Sequence, residues 1–140
     1  MTRDPECIFC KIVAGEIPCF KIYEDDATLA FLDINPTHPG HALAIAKAHF
    51  ANVYEISDEA IAATVQTAGR VARAVKATVA PEGLNLLQCN GPAAAQSVDH
   101  FHMHIMPRAV DDKLTMNWDL VPGDMAEIGA LAERIKSNMA

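Results

Sequence analysis

Residues 99–108 read DHFHMHIMPR and set His100, His102 and His104 at every second position. At 3.6 residues per turn a helix would splay these rings, whereas a strand points alternate side chains the same way. The spacing predicts a strand with the three imidazoles on one face, Phe101, Met103 and Ile105 on the other, and Pro107 ending the pairing. Alternate side chains on a strand stand about 6.5–7 Å apart, so the rings serve one pocket without all converging on one atom. One histidine on a strand face is ordinary; three in strict alternation point to chemistry. Imidazole transfers protons near neutral pH, attacks electrophiles and ligates metals, and the spacing alone leaves all three open.

A second candidate lies at the start of the chain, where CIFC brings Cys7 and Cys10 three residues apart. A CxxC pair serves a zinc site or redox chemistry, and the redox reading also wants a thioredoxin-like βαβ setting that this sequence lacks. A metal would need two further ligands. Cys19 and Cys89 belong to no motif and read as ordinary buried thiols.

These residues must be held by elements, which the pattern of the chain suggests. FKIYED, TLAFLDI and HALAIAK read as three strands, with the turn residues of NPTHPG between the second and third. KIVAGEIP reads as a short helical turn broken by Gly15 and Pro18. Ser57 caps a helix whose apolar positions, Ile61, Val65, Ala68, Ala72, Val75 and Val79, recur at helical spacing until Pro81 and Gly83 end it. LNLLQCN is a fourth strand, NGPAAAQSV a loop and the histidine segment a fifth strand. Residues 111–123 look irregular. Asp124 and Glu127 then open a closing helix with Ile128, Leu131, Ala132 and Ile135 as its stripe. The order predicts an α+β domain, an antiparallel sheet with helices on one face and the histidines on the other.

With 140 residues, 51% hydrophobic and 21% charged, the chain suits a single folded domain over 1–140 and not a disordered segment. A formal charge of −7 and a pI near 5.2 argue against a nucleic-acid polymer held through its phosphates, but not against a small phosphorylated ligand. MTRDPECIFC has no apolar run after a basic start, and no stretch approaches membrane-spanning length, so a cytoplasmic protein without a membrane partner is expected. In that reducing setting cysteines are thiols or metal ligands.

Together, CIFCKIVAGEIP, AFLDINP, GHALAIAKAH, GPAAAQSV and HFHMHIM occur in the order found in the histidine-triad (HIT) family, and the chain resembles its Hint-like branch, bacterial zinc-bearing type, over roughly residues 7–108. The tail, 109–140, is variable. The resemblance implies a five-stranded sheet continued across a homodimer, and cleavage at the α-phosphate of purine nucleoside phosphoramidates or related adenylates. It implies His102 as the nucleophile that takes the nucleotidyl group, His104 as the phosphate-contacting histidine, and His41 as the family's upstream histidine. Asp33 matches the ribose ligand, Gln96 and Ser97 the pair beside the phosphate, and Ile17 and Ile34 the base wall, among the apolar positions Phe9, Ile12, Ile17, Phe31 and Ile34. Asn90 is included as a phosphate ligand although it adjoins Gly91 directly; in the eukaryotic pattern the asparagine stands two positions before that glycine, where this chain has Cys89. Ala46 stands where many relatives carry proline.

Zinc-bearing relatives supply the two missing metal ligands from positions matching His49 and His100, giving Cys7, Cys10, His49 and His100 as a structural four-ligand zinc set, with no organic cofactor. Three rival functions share these features: a dinucleoside polyphosphate hydrolase, a hydrolase that uses HxHxH as a catalytic metal site, and a nucleotide-binding adaptor without turnover.

Overall fold

Small and large apolar residues alternate in ALAIA, and the two faces of the sheet follow from that alternation. The computed structural model describes residues 1–139 and contains one antiparallel sheet of five strands. These are β1 (Lys21–Glu24), β2 (Thr28–Leu32), β3 (Ala42–Ala46), β4 (Gly83–Gln88) and β5 (His102–Arg108), in spatial order β1-β2-β3-β5-β4. Every residue of β3, the central strand, is buried. On one face Ala30, Ala42, Ala44 and Ile105 pack against Ala68, Val71 and Val75 of a 22-residue helix, α2 (Asp58–Val79). Alanine methyls let that helix lie close to the strands, and Thr67 of α2 shares a 2.7 Å hydrogen bond with Thr28 of β2.

The opposite face carries the larger side chains. Leu29, Phe31, Leu43 and Ile45 form a second cluster with Phe9 and Cys10 of a six-residue helix, α1 (Ile8–Val13), and with Cys7 immediately before it. The long helix therefore covers one face as expected, while α1 joins the histidine face. Its thiol-bearing turn starts before KIVAGEIP, because the Cys7 sulfur accepts the Cys10 amide and caps the helix. α2 begins where the sequence placed it, with the Ser57 hydroxyl accepting the Ala60 amide at 3.2 Å, and ends at Ala80 in the left-handed region, φ 46°.

The histidine strand differs from expectation at both ends. β5 starts at His102, so His100 lies just before it, and it runs through Pro107 to Arg108. Pairing with β3 covers only His102–Ile105, so a residue without an N–H is tolerated beyond that point. Arg108 then clasps Asp112 through two hydrogen bonds of 2.7 and 2.8 Å and turns the chain into an irregular segment. The closing helix, α3 (Met125–Ser137), starts on its expected cap, Asp124 Oδ1 accepting the Glu127 amide at 3.0 Å. All of its residues are exposed, so its apolar stripe covers no part of the sheet. Among the described residues no helix is long and apolar enough to cross a membrane, and no disulfide links the cysteines.

Candidate active site

Strand register fixes which histidines share a face. His102 sits opposite Ile45 and His104 opposite Leu43, both on the face away from α2, while Met103 and Ile105 oppose Ala44 and Ala42 on the helix side. The two rings lie 5.1 Å apart between centroids. His102 is buried, and its Nδ1 lies 2.6 Å from the His100 carbonyl oxygen. A carbonyl only accepts, so His102 carries its proton on Nδ1 and a lone pair on Nε2. Burial pushes its pKa below the ordinary histidine value, opposed by that same hydrogen bond. Phe9 packs edge-on against this ring, with centroids 5.2 Å apart and planes at 88°, and limits its rotation.

A cavity of about 500 Å³ opens on this face. Of the residues expected from the sequence, His41, His102, His104, Asp33, Ser97, Ile17 and Ile34 line it, as do Phe9, Ile12 and Phe31. Asp33 leaves the end of β2; its amide donates to the His41 carbonyl at 3.0 Å and its Oδ2 stands 3.5 Å from His41 Nε2. His104 is pushed down to about 4 by burial and by its neighbours His102 and His41, and burial lowers His41 too. Neutral imidazoles thus face the cavity at neutral pH.

Gln96 and Asn90 do not line the cavity. The Gln96 amide donates to Ala51 and Val98 carbonyls at 2.7 and 3.1 Å and accepts the Gly91 amide at 2.8 Å. Asn90 accepts the Val53 amide at 2.8 Å and exchanges two hydrogen bonds with Gln88. Both side chains stitch the loop that presents Ser97, because each faces unpaired loop backbone that needs a partner. Sequence reasoning missed Leu43 as a wall residue, although its alternation with alanines in β3 was the available signal.

Behind the cavity wall, Cys7, Cys10, His49 and His100 bring four ligand atoms within 4.8 Å of one another. His100 Nε2 donates to the Ala46 carbonyl at 2.6 Å, which leaves its Nδ1 lone pair facing the thiols. The sulfur–nitrogen separations are 3.4 Å for Cys7–His100, 3.4 Å for Cys10–His49 and 3.7 Å for Cys10–His100, with 3.3 Å between the two Nδ1 atoms. Tetrahedral zinc, with Zn–S about 2.3 Å and Zn–N about 2.0–2.1 Å, requires about 3.6 Å for a sulfur–nitrogen edge and about 3.4 Å for a nitrogen–nitrogen edge. The four residues fit that ion.

A HIT domain family model matches residues 14–111. Adenosine 5'-monophosphoramidase hnt1 of Schizosaccharomyces pombe is 46% identical over 134 residues, which cover 95% of this chain and 98% of the relative. A crystal structure of a member of the HIT family from Bacillus subtilis superposes with TM-score 0.90 at 41% identity, covering 96% of this chain and 98% of that one. A zinc-bound histidine triad family protein from Mycobacterium smegmatis superposes with TM-score 0.74 at 35% identity, covering 96% and 98%.

Proposed function

The chain belongs to the HIT domain family, and from that membership we propose that it is an enzyme, a nucleotide hydrolase acting on purine nucleoside phosphoramidates or related adenylates through a nucleotidyl-histidine intermediate. The observation that carries this reading is the hydrogen bond from His102 Nδ1 to the His100 carbonyl, which leaves a lone pair on the other nitrogen of a ring lining the cavity. His102 Nε2 attacks the α-phosphorus, the bond to the leaving group breaks with its electron pair, and the nucleotidyl group becomes bonded to the ring. Water then attacks the same phosphorus, releases the nucleoside monophosphate and restores the imidazole. Ser97 and His104 contact the phosphoryl oxygens, His41 supports His104, Asp33 accepts the ribose hydroxyls, and Ile17 and Ile34 cover the base. Gln96 and Asn90 act indirectly by holding the Ser97 loop.

Zinc in the Cys7, Cys10, His49 and His100 set is structural in this scheme, tying α1 to the sheet. With both nitrogens of His100 engaged, one by Ala46 and one toward the thiols, the three rings of HxHxH do not share an ion, which counts against the catalytic-metal alternative. The chain works as one HIT-like domain and as a homodimer in a reducing cytoplasm.

The test is turnover of adenosine 5'-phosphoramidate, compared with a dinucleoside polyphosphate, by wild type and His102→Asn. The phosphoramidate is the expected preferred substrate, and rapid quenching should trap an adenylylated wild-type chain by mass spectrometry. Undiminished turnover by His102→Asn removes that ring from the chemistry. Nucleotide binding with no wild-type turnover on either compound favours the adaptor.

A further inference from the structure

The His41–His104 pair carries an assignment that the family likeness does not supply. His41 Nδ1 lies 3.1 Å from the main-chain nitrogen of Thr37, with the Thr37 hydroxyl at 3.4 Å. A main-chain amide can only donate, so His41 Nδ1 holds a lone pair and the proton of the neutral ring is on Nε2. That Nε2 faces His104 Nδ1 at 2.9 Å and Asp33 Oδ2 at 3.5 Å, and both accept. His104 Nδ1 is therefore an acceptor, and neutral His104 carries its proton on Nε2, on a ring that lines the cavity. The reverse arrangement, with His104 donating from Nδ1, would strip His41 of both protons and set an imidazolate beside a carboxylate.

We propose that the main-chain amide of Thr37 is a positioning group for the reaction: it holds His41 as the Nε2–H tautomer and thereby fixes His104 as an Nε2–H donor toward the bound phosphoryl group. The proposal rests on the nucleotide-hydrolase reading of the cavity. Two neighbouring rings on β5 then stand in opposite tautomers. A carbonyl, that of His100, makes His102 the ring with the free lone pair; an amide, that of Thr37, acting through His41, makes His104 the ring with the free N–H. Nucleophile and donor are thus distinguished by two backbone groups of opposite polarity. The loop that presents the amide is tightly closed, with Asn35 N–H on Asp33 Oδ1 at 2.8 Å, His41 N–H on the His38 carbonyl and Asp33 N–H on the His41 carbonyl, each at 3.0 Å. Burial favours the neutral state of both His41 and His104, the state in which a tautomer is defined.

The direct test is long-range 1H–15N correlation spectroscopy on the full-length, histidine-labelled, metal-loaded protein near neutral pH, with no substrate. The expected pattern is Nε2–H for His41 and His104 and Nδ1–H for His102. An Nδ1–H signature at His41 or His104 overturns the proposal, whatever the turnover assay shows. Failure of phosphoramidate turnover with the expected tautomers intact would instead remove the reading of the substrate. The second arm compares Thr37→Val, which keeps the amide and removes the hydroxyl, with Thr37→Pro, which removes the amide. Thr37→Val should keep kcat within about twofold and leave the tautomers unchanged. Thr37→Pro should lower kcat about tenfold, with a smaller change in KM, and shift the His104 signature to a tautomer mixture. A folded Thr37→Pro protein with wild-type tautomers overturns the proposal; if that variant does not fold, the wild-type spectrum decides alone.

Discussion

In the proposed mechanism a backbone group opposite one ring nitrogen decides the role of each histidine of the pair: the His100 carbonyl for His102 and, through His41, the Thr37 amide for His104. His102→Asn is expected to keep nucleotide affinity and lose at least about a thousandfold in kcat, because the amide retains shape and polarity but cannot form the covalent intermediate; binding and turnover measured side by side check this. Burial lowers the pKa of His102, so its lone pair stays available as solutions become mildly acidic. The acid limb of kcat/KM should accordingly fall below the ordinary histidine value of about 6.5, and a limb at or above that value would contradict the assignment. The spacing of His102 and His104 marked them from residue types alone, whereas His41 and Asp33 entered only through the family resemblance; all four line the same cavity. The hydrogen bonds that differentiate the rings were not legible in the sequence, because they run to main-chain atoms of His100 and Thr37 whose direction depends on loop geometry and not on residue type. For the same reason the outward turn of Gln96 and Asn90 could not be read from their identities.

Elements hold these residues with narrow tolerances. Gly40, immediately before His41, adopts φ +93°, and an added Cβ would stand 3.3 Å from Val75 and Val79 of α2 and 3.4 Å from Pro107 of β5. Gly40→Ala is therefore expected to cost about 1–3 kcal/mol of stability in urea unfolding and to lower kcat by displacing His41. At the metal set, Cys7→Ser or chelation should lower the melting temperature and release close to one zinc per chain by elemental analysis, without a requirement for added metal in the nucleotidyl transfer itself. Absence of zinc from protein purified in metal-free buffers would remove the site. Five strands and the Ser57 and Asp124 caps were readable from periodicity and cap residues. The α2 stripe was readable only in part: Ala68 and Val75 are buried as expected, whereas Val65 is exposed and Thr64, Thr67 and Val71 take the buried face. Threonines satisfied by hydrogen bonds pack there as well as apolar residues do. The true start of β5 was not readable, since HFHMHIM alternates without interruption while only its later part finds β3 as a partner.

At the scale of the molecule, β4 leaves an open edge with Leu86 exposed, and α3 leaves Ile128, Leu131 and Ile135 about half exposed. Edges and stripes of this kind invite pairing, and the proposed homodimer would cover them. Sedimentation should give twice the 15.1 kDa chain mass, and Leu86→Lys should weaken association; a wild-type monomer at tens of micromolar would contradict the assembly. The buried histidines also make stability depend on pH. For His104, folding lowers the pKa from about 6.5 to about 4, so the unfolded chain takes up the proton first. Its contribution is complete above about 6.5 and is lost as pH falls toward about 4, which thermal melts between pH 7 and 4 should register as a falling midpoint. How α3 would be covered was not legible, because its stripe specifies a buried helix without specifying the surface that buries it.

α1 and its cap place two kinds of side chain on one short spiral: Cys7 and Cys10 look toward the two imidazoles, while Ile8, Phe9 and Ile12 form part of the cavity wall. Inserting one residue between the thiols would rotate everything after it by about 100° and misdirect both sets at once. Drift in ligand preference along this stretch should therefore proceed by exchanging side chains at positions 8, 9 and 12, never by changing its length. Laboratory libraries aimed at new nucleobases can be built on that restriction.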